Sequence, residues 1–160
     1  MDSMEELLLE QLRDLHSAER QIKAALPKMA KAAASEDLRA AFEEHLEQTL
    51  GQIERLDRAF ELLESKPGRH KCKGMEGLLE EGAEMIKEKG DPDVKDAGLI
   101  AAAQRVEHYE IAGYGSARTF AEMVGQKDIA DLLQETLDEE KATDEKLTEL
   151  AMSSVNPAAA

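Results

Sequence analysis

Two glutamates stand where a helical chain would ordinarily put an alkyl group. Glu110 falls in line with Ala103, Val106, Gly113 and Ala117 at helical spacing, and Glu19 falls in line with Leu12, Leu15, Ile22 and Leu26. A carboxylate inside an apolar stripe must be paired, protonated or bound to a metal, because burying it alone is costly. Glu107, one turn before Glu110, points to nearly the same face. Glu140 lies in line with Leu133, Leu137 and Leu147, with Asp144 one turn further on. Around residue 45 the inward polar candidates are His45 and Gln52, with Gln48 less central, while Glu47 should face solvent. The candidate ligand set is therefore Glu19, His45, Gln52, Glu107, Glu110, Glu140 and Asp144. Oxygen-rich shells of this kind suit iron or manganese, and two such metals together can reduce oxygen or peroxide.

A polar core without metal satisfies the same residues. Arg20, Arg105, His45, His108, Tyr109 and Tyr114 are available to pair with the carboxylates, which could also share protons. Cys72 and His70 sit in a basic connection and do not make a metal clip by themselves. Cys72 reads as a small buried anchor with no recognisable Asp or His partner to activate it. Met75, Met85 and Met123 read as core filler, and Gly113 as a point of close helix approach.

Five helices must position these groups. The first runs from Ser3 or Met4 to about Ala33, opened by the capping-box spacing of Ser3 and Glu6, with a kink or break expected at Pro27. Ser35 caps the second, whose inner face carries Leu38, Phe42, Leu46, Thr49, Ile53, Leu56, Phe60 and Leu63. A polar connection, Ser65–Gly74, leads to a short third helix at about Met75–Lys89, stopped by Gly90 and Pro92. The fourth spans about Asp93–Val124, with Gly125 as its stop, and the fifth about Lys127–Ser153. Residues 1–153 form one domain, and 154–160 are expected to be a flexible tail.

Composition narrows the function classes. A net charge of −15 over 160 residues makes nucleic acid or an anionic membrane a poor partner. One cysteine excludes an internal disulfide and fits a reducing compartment. The N-terminal residues do not resemble a secretory leader and no apolar run reaches membrane-span length, so the expected location is cytoplasmic.

An offset of 91 residues, that between Glu19 and Glu110, superposes the two halves of the chain. Leu15 falls on Val106 and Leu26 on Ala117; Leu38 falls on Ile129, Phe42 on Leu133 and Arg55 on Lys146. Two helical hairpins joined by a long crossover with a short helix predict an all-α, ferritin-like four-helix bundle. That plan hosts two-metal sites built from Glu and Glu-x-x-His. Here Thr143 stands where the His of that motif is wanted on the last helix.

The residues also carry a family resemblance. SAERQ at Ser17–Gln21, EEHLEQTLGQIERL at Glu43–Leu56, CKGMEGLLEEG at Cys72–Gly82, AAAQRVEHYEIAGYG at Ala101–Gly115 and ETLDEEKATDEKL at Glu135–Leu147 resemble the YciE/YciF-like bacterial stress-associated family. That family is a branch of the ferritin-like superfamily. The resemblance implies a ferritin-like bundle, a homodimer and a link to bacterial stress, but no established reaction. It places candidate metal ligands on Glu19, Glu107, Glu110 and Glu140, with Glu19 and Glu110 as bridges if the centre is catalytic. Members often have His where this chain has Gln52, and Gln is a poor ligand. Two readings stay open: a stress protein with a metal-binding or vestigial centre and peroxide or oxygen chemistry, or a non-enzymatic dimeric stress protein with a structural polar core that acts through its surface. Nothing in the residues specifies an iron-storage shell.

Overall fold

The computed structural model describes residues 1–160 as helices and their connections. Helix α1 is Met4–Ala32, α2 Glu36–Leu62, α3 Lys73–Lys87, α4 Pro92–Met123 and α5 Lys127–Leu150. The sequence signals that open them act as expected. Ser3 Oγ accepts the Glu6 N–H and Ser35 Oγ accepts the Leu38 N–H. The Glu6 carboxylate reaches back to the Asp2 N–H, one residue beyond the capping-box partner. Pro92 does not stop α3; it occupies the first turn of α4 behind the cap Asp91, where its missing N–H costs nothing.

No break occurs at Pro27. α1 stays helical through Pro27, whose exposed position lets water serve the carbonyl one turn earlier. Beyond α5 one turn widens to the π pattern at Ala151–Val155, and a last helical turn, α6, follows at Asn156–Ala159. Val155 is buried against the core and ties this end down.

α1 and α2 form one hairpin and α4 and α5 the other. α1 also packs on α4 and α2 on α5, which closes a four-helix square, while α3 lies across α1 and α4. This is the ferritin-like bundle with an extra crossover helix. Gly113 lets α1 approach: a methyl group there would meet Leu15 Cδ2 at 2.8 Å. The internal repeat survives as paired contacts. Arg55 on α2 binds Glu135 on α5 at 2.9 Å, and the offset partners, Lys146 on α5 and Glu44 on α2, also form an ion pair. No helix is long and apolar enough to cross a membrane.

The apolar core is split in two. One cluster runs from Ala18 towards the α1–α2 connection and includes Ile22, Phe42, Met75 and Leu99; the other holds Leu8, Leu12, Leu56, Phe60, Tyr114 and Leu133. Met75 lies inside and Met85 packs half-buried, but Met123 is not core filler: it is 67% exposed at the end of α4, where the chain is already turning.

Asp96, just past the first turn of α4, holds the α1–α2 connection. It is buried, and its two oxygens accept the Ala34 and Ser35 N–H groups at 2.9 and 2.7 Å. Asp96→Ala orphans both donors and should cost about 3 kcal/mol, given ~1.5–3 kcal/mol for a hydrogen bond to a charged group. Asp96→Asn keeps one acceptor and should lose about half as much. Urea denaturation midpoints check the order.

Candidate metal centre

Between the two apolar clusters lies a polar layer. Glu19 of α1, His45, Thr49 and Gln52 of α2, Glu107 and Glu110 of α4 and Glu140 of α5 are each no more than 3% exposed. Every helix of the square contributes at the same depth, because the helical stripe that buries the leucines above and below also carries these side chains inward. Glu47 is exposed, as its angular position requires.

His45, Glu107, Glu110 and Glu140 each present a ligand atom, and those atoms all lie within 4.8 Å of one another. His45 Nδ1 is 3.2 Å from Glu107 Oε1, out of line for a hydrogen bond. Glu19 lies beside this group, close enough to feel the charge of Glu140. Its Oε1 accepts the Tyr114 hydroxyl at 2.5 Å. Gln52 Nε2 donates to Glu140 Oε1 at 2.6 Å and so restrains that carboxylate. Asp144 does not join. It lies one turn outward, taking Gln104 Nε2 at 3.2 Å and standing 3.2 Å from His108 Nε2. Arg20 and Arg105 are exposed, and no arginine or lysine enters the layer.

Burial pushes the carboxyls of Glu19, Glu107 and Glu110 well above the ordinary range, and repulsion from Glu140 pushes them further. The Tyr114 hydrogen bond opposes this at Glu19 without reversing it. Burial also raises the Tyr114 phenol, which remains a donor, and lowers the His45 imidazole, which favours the neutral form a metal needs. Several buried atoms lack any hydrogen-bond partner: Glu19 Oε2, His45 Nε2, Gln52 Oε1, both oxygens of Glu107 and Glu110, and Glu140 Oε2. Folded proteins leave few such atoms, and a cluster of this kind could hold a metal ion.

A second polar cluster escaped the sequence reading. Cys72 is buried, caps α3 by accepting the Met75 N–H, and places Sγ 3.2 Å from Asp14 Oδ2 and 3.0 Å from the Tyr109 hydroxyl. Tyr109 donates to Asp14 Oδ2 at 2.7 Å, and His70 Nε2 is 3.0 Å from Asp14 Oδ1. Cys72 thus anchors the crossover as expected, but it does have Asp and Tyr partners. Burial raises its thiol, so it stays protonated and structural. These partners are 58 and 37 residues from Cys72, where no helical period connects them.

A family model described as a domain of unknown function, DUF892, matches residues 3–160. Protein YciF of Escherichia coli K12 is 52% identical over 98% of this chain and 95% of its own length. The crystal structure of that E. coli stress protein superposes with a TM-score of 0.94, covering 98% of this chain and 99% of that one. YcfI of Rhodopseudomonas palustris is 46% identical, with a TM-score of 0.91 over 95% of this chain and 97% of that one. A Xanthomonas campestris protein, 22% identical with a TM-score of 0.76 over 96% of this chain and 94% of that one, shares the fold.

The raised carboxyls give a pH prediction for metal-free protein. The folded state holds protons that the unfolded chain releases above its ordinary carboxyl value of 4.5, so stability should fall as pH climbs from there. Melting temperature should be higher at pH 5 than at pH 8. Glu110→Gln removes an ionisable group from the layer and should narrow that difference, as read by thermal melts in chelator.

Proposed function

The chain belongs to the DUF892 family, of YciE/YciF-like stress proteins, and from that premise we propose that its polar layer binds two divalent cations, iron or manganese. The carrying observation is the convergence of three carboxylates and one imidazole at a buried point, with Glu19 beside them, unpartnered atoms among them and no lysine or arginine. Four ionised carboxylates are balanced by two dications, which no side chain here can do. Hard oxygen donors with one nitrogen suit iron or manganese.

His45, Glu107, Glu110 and Glu140 would hold the metal, with Glu19 completing the carboxylate shell. Bound there, such metals supply electrons for reducing dioxygen or peroxide. The chain's own residues do the rest. Gln52 fixes the orientation of Glu140, and Tyr114 fixes Glu19 and is a proton donor beside it. The apolar clusters on both sides keep bulk water out. A homodimer in the cytoplasm completes the proposal; sedimentation velocity reads the assembly.

The second reading is a structural polar core. What favours it is that Glu107 and Glu110 stand close enough to Glu140 for protonated carboxyls to bond one another.

Protein prepared without oxygen in ferrous or manganous salt, then desalted and measured for metal, separates the two. The metal reading expects about two ions per chain. Glu110→Ala should weaken binding roughly tenfold or more, whereas Asp144→Ala should leave the stoichiometry unchanged. No bound metal, with Glu110→Ala changing stability alone, would establish the structural core.

A further inference from the structure

A cleft and a small inner cavity meet His45 from different sides of the bundle, and their linings differ. Between α2 and α5 a cleft of about 100 Å³ is lined by Glu44, His45, Gln48, Thr143 and Lys146. It is laced by the Lys146–Glu44 ion pair and by the Thr143 hydroxyl donating to Gln48 at 2.9 Å. Between α1, α3 and α4 lies a groove of about 350 Å³ whose walls include Met29, Leu79, Ile86, Ala102 and Val106. Ala25, Met29, Leu79 and Val106 of that groove are also walls of an inner cavity of about 10 Å³, whose polar members are His45 and Glu107.

We infer that this groove and inner cavity form one passage, apolar at its constriction, through which a molecule the size of dioxygen reaches the His45–Glu107 side of the carboxylate layer. Three observations support it. The shared walls make the two spaces neighbours, parted by one layer of side chains. The inner cavity has room for about one water-sized sphere, which excludes larger organic substrates. Its other seven lining residues are apolar, so a hydrogen-bonding oxidant such as hydrogen peroxide, though it meets Gln21, Lys28, Glu76 and Glu80 in the groove, must shed its hydration to enter the cavity. An apolar diatomic loses none. At the far end, His45 keeps a buried, unpartnered Nε2. The polar α2–α5 cleft offers peroxide and cations the better route. Leu79 comes from the short crossover helix and is half-buried, so α3 supplies one wall of the constriction.

The inference rests on the proposed metal centre for its use in chemistry, and its test has an arm that does not. In metal-free protein, dissolved dioxygen should enhance NMR relaxation of the buried Val106 methyls more than that of equally buried methyls such as those of Leu137. Ala25→Phe, which fills the groove, should abolish the excess at Val106. No excess in the unsubstituted protein overturns the passage, whatever the metal content. In iron-loaded protein, Ala25→Phe should slow ferrous oxidation by dioxygen roughly tenfold, equivalent to about 1.4 kcal/mol. Oxidation by hydrogen peroxide should keep its rate. Equal slowing of both, or of neither, also overturns it. Leu79→Phe provides the same block from α3 should Ala25→Phe melt early. Failure to load iron would sink the proposed function and leave the relaxation result standing.

Discussion

Four carboxylates share one buried layer, and most of the architecture follows from holding them there. No lysine or arginine offsets them. Taking a single unpaired carboxylate out of water is among the largest penalties available to a side chain, and like charges a few ångströms apart compound it. The apolar clusters on both sides must therefore supply the folding free energy while the middle of the bundle opposes it. That division explains why Asp96, Cys72 and Val155 fasten the ends and the crossover so firmly: the centre cannot.

The two hairpins share this burden unequally. The offset that pairs Glu19 with Glu110 also pairs Arg55 with Lys146, and those two cations reach across to equivalent carboxylates on the facing helix. At the surface the halves still behave as copies. Inside they do not. Glu140 corresponds to Thr49 and Glu107 to His16, which turns away to Asp57 at 3.1 Å. Tyr114 corresponds to exposed Lys23. His45 corresponds to Thr136, buried but used as an acceptor for Arg55 at 3.1 Å. The second half supplies three of the four carboxylates, and the first supplies the imidazole and the amide that steadies Glu140. A symmetric bundle would place equal charge on each hairpin; this one joins a more acidic hairpin to one that is less so.

What could be read from the residues was whatever helical period encodes. Glu19, Glu107, Glu110 and Glu140 interrupt apolar stripes, and burial followed from the stripe. His45 and Gln52 were legible as inward, but the donation from Gln52 to Glu140 spans 88 residues and belongs to tertiary packing. Asp144 fails for a related reason: it continues the line of Glu140 one turn on, where the bundle is already opening towards exposed His108. The end of α2 lacked a glycine signal because Glu64 itself takes the left-handed conformation at φ 48°. The Asp14–Cys72–Tyr109 cluster was invisible because three separate elements meet there. Periodicity says which face of a helix is wet, and nothing about which faces meet.

Protons and a metal ion would compete for the same oxygens. Raised carboxyl values mean that the metal-free fold is held by protons at acidic pH and weakened as they leave. A cation bound there would displace those protons, so its affinity would rise with pH over the range in which the free fold weakens. A layer optimised only for stability would replace several of these carboxylates with leucine and gain from it. Keeping them, between two clusters that could have merged into one, is costly unless a bound cation or a shared proton is part of the working state. The positions of Tyr114 and Gln52 favour the cation. Each restrains one oxygen of a carboxylate and leaves the other free, which is how a ligand is aimed rather than how a charge is neutralised.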